Sequence, residues 1–75
     1  MTDEMPRPVE RITVGLIARV GSELRQLVEQ TGMSKADVIN RAVSLYSYID
    51  SRTANGDEVL IRSKDTGEIE RIKLL

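Results

Sequence analysis

Arg11-Ile12-Thr13-Val14-Gly15-Leu16-Ile17 (RITVGLI) alternates apolar residues with polar or small ones from Arg11 to Leu16. In an extended chain Ile12, Val14 and Leu16 fall on one side and Arg11, Thr13 and Gly15 on the other, the pattern of a strand with one covered face. The spacing predicts a strand over about residues 10–17. Backbone N–H and C=O groups of a strand need partners, and no second strand follows within hairpin distance. The partner has to come from elsewhere.

Working downstream, Val20, Leu24, Leu27 and Val28 recur at helical spacing between Arg19 and Thr31, with Glu23, Arg25, Gln26, Glu29 and Gln30 on the other side. The start of this helix carries no polar cap, and Gly21 sits in its first turn. Its end is clear, because Gly32 stands where a left-handed residue closes a helix. Ser34-Lys35-Ala36-Asp37 then reads as a fresh N-terminus, with Ser34 as cap and Asp37 in the reciprocal position of a capping box. The second helix runs to about Arg52 or Thr53. Its apolar residues, Val38, Ile39, Ala42, Val43, Leu45, Tyr46 and Ile49, form a stripe too wide for one neighbour, which predicts burial on two sides in an oligomer. Asp37 and Arg41 stand four apart in the favourable order. Asn55-Gly56 breaks the helix, and EVLIRS and EIERIKLL, joined by KDTG, predict a terminal hairpin with strands near 58–63 and 68–74. Upstream, Pro6 and Pro8 disfavour helix and predict an extended, flexible arm. The expected organisation is an arm over 1–9, a strand-helix-helix domain over 10–54 and a hairpin extension over 55–75.

Composition narrows the possibilities. A chain of 75 residues buries little apolar surface alone, and it has no Cys and no His to supply disulfides or an ordinary zinc site. Neither a metal nor a cofactor is expected, and oligomerisation is the remaining remedy. With no Phe or Trp and only Tyr46 and Tyr48 as aromatics, the core must be aliphatic. Eleven Lys+Arg against twelve Asp+Glu give a net charge of -1, a mild argument against nucleic acid, although placement outweighs the sum. No apolar run approaches the roughly 18 residues of a membrane span, and MTDEMPRPVE lacks a signal-peptide core, so the expected location is the cytoplasm with no membrane partner. Enzyme chemistry is not expected. The chain lacks His, Cys, a glycine-rich phosphate loop and a paired-carboxylate site, and the adjacent Ser34 and Lys35 point apart on a helix.

RITVGL, the turn-and-helix start QTGMSKADVINRAV and the spacing between them together resemble the ribbon-helix-helix family, the Arc/MetJ/CopG-like DNA-binding repressors, over about residues 10–50. The resemblance implies a mainly α fold with short β, in which two protomers intertwine and their strands pair antiparallel across a two-fold axis. The arm and the C-terminal β-hairpin lie outside that motif. It also implies that the ribbon enters the major groove of double-stranded DNA with Arg11, Thr13 and Gly15 outward as base-contacting positions. Ser34 and Lys35 would then clamp a phosphate, with Arg7 on the arm as a flanking phosphate contact.

The chemistry suits these roles. Arginine can grip guanine O6 and N7 with two hydrogen bonds, threonine can donate, accept or touch a thymine methyl, and a helix N-terminus offers free N–H donors and partial positive charge. Gly15 departs from the pattern by supplying no side chain. The plainer readings are a solvated strand face and a serine that only caps its helix. The expected function is a dimeric, sequence-specific transcriptional regulator acting as a repressor, with dimers able to sit side by side on DNA. The alternatives are an antitoxin that also binds a toxin, and an interaction module of the same fold without DNA binding. The hairpin is the candidate surface for a protein partner.

Overall fold

The computed structural model describes residues 9–73. The remainder, residues 1–8 and 74–75, hold most of the expected arm, including Arg7, and the end of the second hairpin strand. These lie outside the described residues. The element order is α1 (Ala18–Thr31), α2 (Lys35–Ala54), β1 (Val59–Arg62) and β2 (Ile69–Ile72). The described chain is therefore mainly helical, with one two-stranded antiparallel sheet. It divides into two compact units, Met1–Arg41 and Ala42–Leu75.

In the first unit, residues 10–17 form no strand within the single chain. The expectation of a strand there is corrected: among the described residues both strands follow the helices, and neither pairs with RITVGLI. The backbone stays extended at its end, with Ile17 at φ -65° and ψ 158°, and Ile17 serves as a helix cap without a side-chain hydrogen bond. Gly21 N–H then bonds to Ile17 C=O at 2.9 Å, closing the first turn of α1.

The junction between the helices is built locally. Gly32 adopts φ 73°, and its N–H bonds to Val28 C=O at 2.9 Å. An L-residue at that angle would be strained, so glycine here ends α1. Thr31 Oγ1 donates to Leu27 C=O at 2.6 Å and accepts from Met33 N–H at 3.2 Å, which ties the turn back onto α1. Ser34 Oγ accepts from Asp37 N–H at 3.1 Å, and Ser34 C=O accepts from Val38 N–H at 3.0 Å. Ser34 is thus the N-cap of α2 as its spacing from Asp37 predicts. Replacing it with alanine is expected to destabilise the fold by about 0.5–2 kcal/mol, read as a lowered midpoint in thermal unfolding followed by circular dichroism. An unchanged midpoint would show that the cap contributes nothing.

Among the described residues, Leu24 in α1 and Val38 in α2 are the buried apolar side chains. Val20, Val28 and Met33 are half-buried. A two-residue core is thin for any folded domain, where a buried side chain ordinarily meets many neighbours.

In the second unit α2 ends one or two residues beyond its predicted limit, at Ala54. Asn55 and Asp57 N–H both bond to Arg52 C=O at 3.1 Å, and Gly56 N–H to Thr53 C=O at 3.0 Å. The hairpin forms where expected with shorter strands, paired Val59↔Ile72, Leu60↔Arg71, Ile61↔Glu70 and Arg62↔Ile69. Its turn is held by Ser63 N–H to Glu68 C=O at 2.8 Å and Gly67 N–H to Ser63 C=O at 2.9 Å. Directly opposed residues share a face. Val59, Ile61, Glu70 and Ile72 therefore lie on one side of the sheet, and Leu60, Arg62, Ile69 and Arg71 on the other. Val59 and Ile72 are half-buried, whereas Leu60 and Ile69 are more than half exposed.

Candidate nucleic-acid interface

The expected base-contacting positions, Arg11, Thr13 and Gly15, are all exposed in the segment that leads into α1. Their apolar neighbours are exposed too: Ile12 by 73%, Val14 by 61% and Leu16 by 44%. An alternating run normally hides one of its sides. Here the described chain hides neither, and Ile12 and Val14 are the barest of the three.

Gly32, Gly56 and Gly67 take positive φ, but Gly15 does not. A Cβ built at Gly15 would meet nothing within 4 Å. Neither its backbone nor the described residues around it demand a glycine there.

The expected phosphate-contacting pair lies at the start of α2, with Ser34 as cap and Lys35 as the first helical residue, both exposed. The hydrogen bonds already described use the Asp37 and Val38 N–H groups. That leaves Lys35 and Ala36 N–H as the outward donors of the first turn. Because Ser34 Oγ is an acceptor toward Asp37, its own proton remains to be donated outward. An oxyanion placed there would meet two N–H groups, one hydroxyl and the Lys35 ammonium. Asp37, the acid of the first turn, is half-buried and opposes such a ligand.

Arg11, Thr13, Gly15, Ser34 and Lys35 all belong to the unit Met1–Arg41. Among the described residues, the hydrogen bonds at Ser34 are local to the start of α2 and do not involve Arg11, Thr13 or Gly15. Arg7 lies outside the described residues, so its expected contact has no structural counterpart here.

The pattern of the sequence does not reveal a cluster at the far end of α2. Arg52 Nε donates to Asp57 Oδ2 at 2.6 Å, Arg52 Nη1 donates to Tyr48 OH at 3.2 Å, and the guanidinium lies 5.9 Å from the Tyr48 ring centre. Asp57, first by hydrogen bond and then by charge, holds the Arg52 pKa above its ordinary value. A group raised in this way keeps its stabilising contribution below its unfolded pKa and loses it only as pH rises through the folded one. That window lies beyond the ordinary arginine range, so the contact persists through neutral and moderately alkaline pH. Both groups are well exposed, so the pair contributes little to stability. Its role is to fasten the chain leaving α2, and the one signal for it is the Arg–Asp pair flanking Asn55-Gly56.

No helix among the described residues is long and apolar enough to cross a membrane. Comparison of the chain with protein-family models, with curated proteins and with solved structures finds no match.

Proposed function

We propose that this protein is a dimeric, sequence-specific DNA-binding transcriptional regulator of the ribbon-helix-helix type. Two chains pair through residues 10–17 and insert the resulting ribbon into the major groove. The observation that carries the reading is the bare alternating segment. Ile12 and Val14 stand exposed beside Arg11 and Thr13 immediately before α1. Pairing with a second copy supplies the missing backbone partners and covers the aliphatic side, while it turns Arg11 and Thr13 outward. The thin core supports the same reading, because Ile39, Val43, Leu45 and Tyr46 of α2 are also exposed in the single chain. Exposed aliphatic surface of this extent marks an interaction face.

Arg11 and Thr13 read base edges in this arrangement, and Ser34 with Lys35 at the α2 N-terminus grips the flanking backbone. A dimer doubles every one of these groups. Binding few phosphates, one dimer has modest affinity that weakens with salt, and neighbouring dimers on one site strengthen it.

The test is a fluorescence-anisotropy titration of the full chain with duplexes covering the region upstream of its own gene, against a scrambled duplex, at two salt concentrations. Site-selective, salt-sensitive binding is expected. Equal and weak binding to every duplex would overturn the reading and favour an interaction module that does not recognise DNA.

A further inference from the structure

We infer that the C-terminal hairpin pairs with the hairpin of a second copy through the open edge of β1, antiparallel, with Leu60 opposite the partner's Leu60. The inference stands on the hairpin alone, outside the segment that carries the ribbon-helix-helix resemblance, and it does not depend on DNA binding.

The open edge follows from the hydrogen bonds. Ser63 N–H bonds to Glu68 C=O at 2.8 Å, so this pair turns its backbone groups inward. In an antiparallel ladder, bonded and non-bonded pairs alternate. With the observed register, Val59 and Ile61 therefore point their N–H and C=O groups at β2, while Leu60 and Arg62 point theirs away from it. Glu58, one residue before the strand, continues the same alternation. Among the described residues no further strand lies beside β1. An edge of this kind is a template for another strand unless proline, lysine or a bulge guards it. Val59–Arg62 contains none of these.

The side chains select the strand that fits. Glu58, Leu60 and Arg62 share one face, and their order reversed is cation, leucine, anion. A two-fold axis at Leu60 therefore sets Glu58 against the partner's Arg62 and Arg62 against the partner's Glu58. Leu60 meets the partner's Leu60, and on the other face Val59 meets the partner's Ile61. Opposite charges directly across a strand pair are favourable, and a self-matching surface is what a two-fold contact needs. The positions that match in charge are also those whose backbone groups face the new strand, so each opposed pair can exchange both N–H···O bonds. Arg62 has no ion pair among the described residues. Glu58 reaches Arg71 only at 3.5 Å, with both side chains more than half exposed.

Other alignments fit worse. An axis at Ile61 puts Leu60 against the partner's Arg62 and Val59 against the partner's Ser63. The edge of β2 cannot pair with itself in this way: an axis at Arg71 opposes two arginines, and one at Glu70 opposes two glutamates. Only β1 carries the self-matching row.

The result is a four-stranded sheet with the two β1 strands at its centre. A lone two-stranded hairpin is marginal in water, and Leu60 and Ile61 are each 52% exposed in the single chain. In the joined sheet both become interior-strand residues. Val59, Ile61 and Ile72 of the two copies then form one continuous aliphatic side.

The chain has no cysteine, so single-cysteine variants of the full chain report the contact directly. Leu60→Cys, Ile61→Cys and Arg71→Cys proteins, each checked for folding by circular dichroism, are air-oxidised at equal concentration and run on non-reducing gels. Cα atoms of an opposed, bonded pair lie about 5.5 Å apart, within disulfide reach. Residues on the diagonal are about 7–8 Å apart, beyond it. Leu60→Cys should give a covalent dimer, and the other two little product. A mixture of Glu58→Cys and Arg62→Cys protomers should give the heterodimer, a second route to the same register should Leu60→Cys not fold. Product from Ile61→Cys in place of Leu60→Cys overturns the register, and product from Arg71→Cys in its place overturns the choice of edge. No cross-link from any folded variant overturns the pairing.

Charge reversal supplies the second arm. In the Leu60→Cys background, Arg62→Glu sets glutamates against each other and should slow cross-linking roughly tenfold. Adding Glu58→Arg restores opposite charges and should recover much of the rate. An unchanged rate in the single reversal, or no recovery in the double, would remove the charge match as the basis of the contact. These readouts use no DNA, so a protein that fails to recognise a duplex can still pair through β1.

Discussion

Truncating Leu24 to alanine is expected to lower the unfolding free energy by about 2–5 kcal/mol, measured by urea denaturation at fixed protein concentration. Leu24 and Val38 are the only apolar side chains buried among the described residues. A 75-residue chain at roughly 0.05–0.15 kcal/mol per residue has about 4–11 kcal/mol in total, so one methyl-bearing side chain accounts for a large part of it. A shift of under about 0.5 kcal/mol, the size usual for surface positions, would show that Leu24 is not part of a working core. Val43→Ala is the informative companion. Val43 is 64% exposed in the single chain, so a lone protomer should scarcely respond. A second copy seated on that side of α2 would make the same truncation clearly destabilising.

Arg11→Ala carries the largest expected effect on recognition. A bidentate arginine–guanine contact contributes about 1–3 kcal/mol of discrimination, and a dimer presents two. Losing both corresponds to a fall of roughly 30-fold to above 10⁴-fold in preference for the target, at about 1.4 kcal/mol per factor of ten. Binding to scrambled duplex should weaken far less, since on the proposed reading the backbone contacts of Ser34 and Lys35 would remain. Lys35→Ala should behave in the opposite way, weakening all duplexes alike and flattening the salt dependence. An Arg11→Ala protein that keeps its target preference would remove base readout by this segment.

The parts of this fold that were legible in the sequence are those settled within a few residues. Gly32 and Ser34 mark the inter-helix turn correctly because a left-handed closing residue and a side-chain cap are local devices. Asn55-Gly56 marks the end of α2, and the KDTG turn marks the hairpin, for the same reason. RITVGLI is different. Alternation shows which residues share a side, but a strand exists only with a partner, and the described residues supply none. The width of the apolar stripe on α2 was legible, yet exposure was needed to show that Val43, Leu45 and Tyr46 remain uncovered by their own chain.

For the candidate site, Arg11, Thr13, Ser34 and Lys35 follow from the resemblance, and the structure adds that all four are exposed. The meaning of Gly15 was not legible, because a missing side chain looks the same whether a turn, a close neighbour or nothing demands it. Only its ordinary backbone and the empty space around it separate those cases. The Arg52–Asp57 contact was also hidden, since it depends on how the chain reverses after α2. In the hairpin, near-balanced charge concealed a division by face that follows from the register, with Arg62 and Arg71 on one side and Glu70 on the other.

The thin core bears on control as well as on stability. On the dimer reading, folding and pairing are a single step, so the amount of active protein scales with the square of the free chain rather than with the chain itself. Below the pairing threshold the chain remains open to proteases, which shortens its life just when it is scarce. A regulator built this way switches off sharply as its synthesis falls, and the steepness comes from what each chain fails to bury alone.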